Sequence, residues 1–108
     1  MEAHRILGGG FLEVVYKDAL EIEFKRRGLS YEREKEYFID YKGEVLRHKF
    51  RADFVINNKI ILEAKASEKG FADEIIPVVI NYLKISGCSI GLLVNFGKPQ
   101  LEFRRVIY

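Results

Sequence analysis

The sequence predicts a single α+β domain whose elements run helix, three strands, helix, two strands. Three observations carry this expectation. Apolar residues recur at helical spacing in two segments, residues 11–27 and about 73–86. Runs of β-branched and aromatic residues separate and follow those segments, bounded by Gly, Asn and Pro turns. The chain has 108 residues and shows no linker, repeat or low-complexity stretch, which suits one domain spanning residues 1–108. The formal net charge is +2 and the isoelectric point near 8.7, which permits nucleic acid as a partner without requiring it. A lone cysteine, Cys88, rules out an internal disulfide and fits a reducing cytoplasm. No apolar run reaches the roughly 18 residues of a membrane span, and the N-terminus has no apolar signal core.

In the first helix, Leu12, Val15, Tyr16, Ala19, Leu20 and Phe24 fall mostly on one side. Gly28 is suited to end it, with Lys25, Arg26 and Arg27 in the last turn, where the helix dipole favours cations. Residues 37–41 alternate weakly as a first strand, Lys42-Gly43 turns the chain, and residues 45–56 form a long second strand. A third strand covers residues 60–66, and the polar segment 67–74 is a loop. The second helix carries Ile76, Val79, Ile80 and Leu83 as its apolar stripe. Pro77 fits only in its first turn, and Gly87 ends it. The continuous apolar run at 89–96 suits a buried strand, Gly97-Lys98-Pro99 turns, and residues 101–108 close the fold as a strand.

The stretch RADFVINNKIILEAK, residues 51–65, holds three charges inside two apolar runs. A two-residue loop at Asn57-Asn58 would put Glu63 and Lys65 on the face of Phe50, Ala52, Phe54 and Ile56. A three-residue loop pairs Ile56 with Ile60 and Phe54 with Leu62. One face then carries Phe50, Ala52, Phe54, Ile56, Ile60, Leu62, Ala64 and Ala66. The other carries Arg51, Asp53, Val55, Ile61, Glu63 and Lys65. A one-residue slip exchanges the two faces, so the odd loop is the expected register. It sets Asp53 across from Glu63, with Cβ atoms about 4.5–5.5 Å apart. Like charges so close repel. Lys65 offsets part of this, and a divalent cation would offset the rest, with two carboxylates and a main-chain carbonyl forming half of an octahedral oxygen shell. Spacing alone leaves a second reading, an ordinary solvated sheet face with Lys65 bridging Glu63.

The segment Gly10-Phe11-Leu12-Glu13-Val14-Val15-Tyr16 reads G-x-x-E-x-x-Y. With RADF, ILEAK and Asn81-Tyr82-Leu83-Lys84 it resembles the GxxExxY protein family of the PD-(D/E)xK nuclease superfamily. The resemblance runs from His4 to Ile107. It implies a restriction-endonuclease-like core, a central mixed sheet flanked by helices, and phosphodiester hydrolysis of DNA or RNA with Mg²⁺ or Mn²⁺. By the same resemblance, Asp53 is the principal metal ligand and Glu63 the second, with the carbonyl of Ala64 beside them. Glu13 is a helix-borne acid reaching the metal directly or through water, and Lys65 is the catalytic lysine. Read without the family, Glu13 is a first-turn carboxylate favoured by the helix dipole. Tyr16 is as readily a packing residue.

Two departures accompany the resemblance. The family's glutamine three residues before Asn81 is Val78 here, and valine cannot bond a phosphate or a water. The family also has a longer first helix, so the chain starts near its end and leaves apolar surface for a partner, such as a second copy. A rival reading follows: a catalytically inactive module that binds nucleic acid or protein. Arg47, Lys49 and Arg51, taken on one strand face with Asp53, form either a phosphate track or a solvated edge. His4 and His48 have no second ligand at metal spacing, and Cys88 reads as core.

Overall fold

A computed structural model describes residues 2–72 and 74–108. The elements are α1 (Glu2–Leu7), α2 (Glu13–Arg26), β1 (Tyr31–Tyr37), β2 (Asp40–Tyr41), β3 (Glu44–Val45), β4 (Phe50–Ile56), β5 (Ile60–Lys65), α3 (Ile75–Ser86), β6 (Ile90–Asn95) and β7 (Glu102–Ile107). Strands β1-β4-β5-β6-β7 make one mixed sheet in that order, with β5 and β6 parallel and the other neighbours antiparallel. This is the expected α+β class with a restriction-endonuclease-like sheet flanked by helices. No helix among the described residues is long and apolar enough to cross a membrane.

Two apolar layers fix the helices to opposite faces of the sheet. Tyr16, Leu20 and Phe24 of α2 pack on Phe54, Ile56, Leu62, Ala64, Val94 and Phe96. Val79 and Leu83 of α3 pack on Val55, Ile61, Leu93 and Val106, with Cys88 beside them. The alternation of Phe54 with Val55 and of Ile61 with Leu62 sends neighbours to opposite layers, as a pleated strand must. Crossing from β5 to the parallel β6 requires a long connection, which α3 supplies. Gly91 on β6 lets α3 lie close, because a Cβ there would meet Val79 Cγ1 at 2.7 Å. Both expected helix stops hold: Gly28 and Gly87 have φ of +67° and +75°, the left-handed region that glycine reaches without strain.

The central hairpin adopts the odd register. Ile56 pairs with Ile60, Val55 with Ile61 and Phe54 with Leu62, and Lys59 N–H donates to Ile56 O at 3.1 Å. Asn57 and Asn58 take the left-handed backbone of the tight turn, at φ +53° and +56°.

Several boundaries differ from expectation. Residues 11 and 12 precede α2. The predicted helix start at Asp73 lies outside the described residues, and α3 begins at Ile75, which leaves Pro77 in its first turn. The first strand is the charged segment YEREKEY rather than residues 37–41. It works as an edge because Arg33 lies over the Phe54 ring at 5.8 Å and Lys35 over Tyr37 at 5.4 Å. The long cationic side chains cover aromatic surface while their charges reach water. The predicted strand 45–56 is two elements. Val45 closes a small hairpin with β2, turned at Lys42-Gly43 as expected, and β4 starts only at Phe50.

The face assignment of β4 also needs correction. Phe50 and Ala52 do not share the layer of Phe54 and Ile56. Phe50 stacks on Tyr82 of α3 with ring centroids 3.6 Å apart, whereas Phe54 meets Phe24 of α2 at 5.1 Å. The alternation therefore breaks once between Ala52 and Phe54. Strand β1 breaks with it, since Tyr31 packs against Phe24 and Tyr37 against Phe50. At the break, Glu34 has φ +58°, and the pairing of β1 with β4 skips Glu34 and Asp53.

Candidate active site

The break places Asp53 where β4 leaves β5. The β4–β5 ladder ends at Phe54 and Leu62. Beyond it the Ala64 N–H donates to Asp53 Oδ2 at 2.8 Å, so a side chain takes the place of the next backbone acceptor. This fixes the carboxylate against β5, one step from Glu63. Asp53 and Glu63 line one polar cavity of about 260 Å³, together with Lys49, Arg51, Lys65 and Tyr82.

Glu63 is the unusual member. It is only 8% exposed, and its Oε1 is buried without a hydrogen-bond partner among the described residues. An unpartnered buried carboxylate oxygen is costly, and the proton-bound form relieves it. Burial, then the negative charge of Asp53, push the Glu63 carboxyl up to about 9, with Lys65 opposing. The sequence thus places an acid inside the apolar strand β5 with one of its oxygens unpartnered among the described residues.

Asp53 has a cation that the sequence did not disclose. Lys17 of α2 donates to Asp53 Oδ1 at 3.0 Å and also to Glu34. Its side chain is 12% exposed. Burial works against the ammonium, but the bonds to Glu34 and Asp53 outweigh it and raise its pKa. The available signal was spacing: Lys17 stands four residues after Glu13 and so shares its helix face. Glu34 lies in a run with no apolar residue to orient it, and gave no signal.

Glu13 does begin α2, but it does not join the two acids. Among the described residues no three His, Cys, Asp or Glu side chains stand close enough to hold a metal ion together. Glu13 instead lines a second cavity, of about 340 Å³, with Lys65, Ala66, Phe71, Ile75 and Val78. Lys65 borders both cavities.

Tyr16 lies outside the site as a buried anchor. Its ring stacks on Phe96 with centroids 4.4 Å apart, its hydroxyl donates to Gly8 O at 2.6 Å, and it accepts from Phe11 N–H at 3.2 Å. It therefore holds the Gly8–Phe11 turn that delivers Glu13. Of the NYLK segment, Tyr82 reaches the polar cavity while Asn81 is exposed. Of the three cations, only Arg51 is on β4. Arg47 and Lys49 precede it, so they do not share a strand face with Asp53. Lys49 and Arg51 nonetheless converge on Glu36, at 3.3 and 3.2 Å, and line the cavity of the acids. His4 bonds the Lys98 carbonyl at 3.0 Å, and Cys88 is buried.

A family model described as the PD-(D/E)XK nuclease superfamily matches residues 1–106. The chain belongs to this superfamily. The crystal structure of SSO0001 is similar, with a TM-score of 0.62 at 26% identity, over 88% of this chain and 50% of that chain. The chain thus spans half the length of that protein. No curated protein matches it. Members of a PD-(D/E)XK nuclease superfamily act with divalent metals as a rule, and the donor set here fits one. Two carboxylates of hard oxygen adjoin each other, one of them with a buried oxygen lacking any partner.

Proposed function

We propose that this domain is a small metal-dependent nuclease of the GxxExxY type that hydrolyses phosphodiester bonds of DNA or RNA. The observation that carries the proposal is the orphaned Glu63 Oε1 beside Asp53, in a cavity bordered by Lys49, Arg51 and Lys65. Asp53, Glu63 and the Ala64 carbonyl would hold Mg²⁺ or Mn²⁺, which supplies Lewis-acid chemistry at phosphate oxygens when bound. Lys65 would orient the attacking water and carry positive charge toward the phosphate. Arg51 and Lys49 would draw the backbone in by charge. Lys17 would hold Asp53 in place, and Glu13 would act from the far side of Lys65 as a water-mediated partner.

The first experiment is calorimetric titration of Mn²⁺ and Mg²⁺ into the native chain and into Asp53→Asn, followed by cleavage assays on single- and double-stranded DNA and RNA. Saturable binding lost in Asp53→Asn, and cleavage lost in Asp53→Asn and Lys65→Ala with the fold intact, would support the proposal. Cleavage that survives both substitutions would sink it.

One observation favours a non-catalytic binding module on the same fold. Val78, in place of the family glutamine, presents an apolar side chain, 37% exposed, next to Lys65. Metal binding without turnover on any of those substrates would select that reading.

A further inference from the structure

The two cavities that meet at Lys65 have opposite chemistry. On one side stand Asp53, Glu63, Lys49 and Arg51. On the other, Ala66, Phe71, Ala72 and Val78 form apolar walls, with Glu13 and Glu74 as carboxylates among the described lining residues, and Ile75, like Lys65, borders both cavities. A ligand passing Lys65 therefore meets charge on one side and apolar surface on the other. A nucleotide has that polarity, with an anionic phosphate and a flat, weakly polar base. Away from Lys65, phosphate is disfavoured in the apolar cleft because Glu13 and Glu74 repel it, whereas the Glu74 carboxylate can accept hydrogen bonds from base N–H groups.

The cleft also has the size and the walls for a base. Its volume of about 340 Å³ lies in the range of small-molecule sites. Phe71, Ile75 and Val78 remain partly exposed there, with Arg104 over the Phe71 ring at 5.9 Å. A base within a continuous duplex is stacked on both faces and cannot enter a concave cleft without being extruded.

We infer that this cleft seats one unstacked nucleobase next to the phosphate held at Lys65, so that the domain selects single-stranded or unpaired nucleic acid over continuous duplex. The inference rests on the nuclease reading and names its substrate class. Val78 then has a positive role: it forms the apolar wall against the base where glutamine would have bonded a phosphate or a water.

The test is binding of a single-stranded oligonucleotide carrying 2-aminopurine, and of a blunt duplex of equal length, at one salt concentration. Chelator is included so that nothing is cleaved. The single strand should bind about tenfold or more tightly than the duplex, the scale of one base–aromatic stack. Aminopurine fluorescence should change on binding, and Phe71→Ala should remove that change. Val78→Ala, which removes apolar wall without adding charge at a position 37% exposed, should weaken the single strand several-fold more than the duplex. Equal affinity for both forms, or a folded Val78→Ala that binds both forms as the native chain does, would overturn the inference and leave the nuclease reading standing. Absence of binding to either form would overturn the inference, whereas the nuclease reading stands or falls on the metal-supplemented cleavage assays.

Discussion

Lys17 Nζ sits 3.0 Å from Asp53 Oδ1, so the acid proposed as a metal ligand already carries a cation, delivered by α2. Both oxygens of Asp53 are engaged, one by Lys17 and one by the Ala64 N–H. The carboxylate is preorganised rather than waiting to be ordered by its ligand.

Replacing Lys17 with Met leaves Asp53 and Glu34 without their shared cation. We expect a loss of about 1–3 kcal/mol in metal-free urea unfolding, the usual cost of removing a charged hydrogen-bond partner from a mostly buried group. Saturating Mn²⁺ should return part of that loss, because a divalent ion can replace the ammonium beside Asp53. An unchanged unfolding midpoint would show that the ion pair contributes nothing.

Glu63 makes stability depend on pH in a stated direction. Its carboxyl is raised from 4.5 to about 9 in the folded chain, so the folded state keeps a proton that the unfolded state releases above 4.5. Unfolding then gains from proton release, and metal-free stability falls as pH rises from 4.5 toward about 9. Glu63→Gln should flatten that slope in thermal melts with chelator present. Metal binding needs the ionised form, so divalent affinity should rise over the same interval.

Tyr16→Phe keeps the stack on Phe96 but deletes the hydroxyl that joins Gly8 O to Phe11 N–H. A cost of about 1–2 kcal/mol in chemical denaturation is expected. Calorimetric metal affinity should hold, since Tyr16 does not border the cavity of the acids.

Arg51→Ala should weaken nucleic-acid binding to all sequences alike. The slope of log affinity against log salt should drop by about one unit if one phosphate contact is lost. A sequence-dependent loss measured by fluorescence anisotropy would instead make Arg51 a reader of bases.

The sheet's centre was legible because burial leaves little choice of register. Only the three-residue loop keeps Glu63 and Lys65 out of the layer that holds Phe54 and Leu62, and the structure follows it. The helices were legible for the same reason, from Leu20, Phe24, Val79 and Leu83. The edge was not. YEREKEY shows no apolar alternation, because an edge strand needs only a few stems and rings to cover its inner side, and its charges resist pairing with another chain. The reversal at Ala52–Phe54 was hidden too: residues of one type continue at every second position through it, and nothing in the residue names marks a change of face. The register brought Asp53 and Glu63 together but not as the expected ladder pair: the ladder stops at Phe54 and Leu62, and the two acids meet as neighbours in one cavity. Lys17 could not be paired with Asp53, because that contact spans 36 positions between a helix and a strand.

The reversal has a consequence for how this domain tolerates change. Strand β4 begins in one layer and ends in the other, and Asp53 stands on the seam between them. A carboxylate so placed is aimed by two independent scaffolds at once, the Phe50–Tyr82 stack below and the Phe54–Phe24 contact above. Slackening either is expected to swing it. Sensitivity of the site to distant packing is therefore built into the path of a single strand.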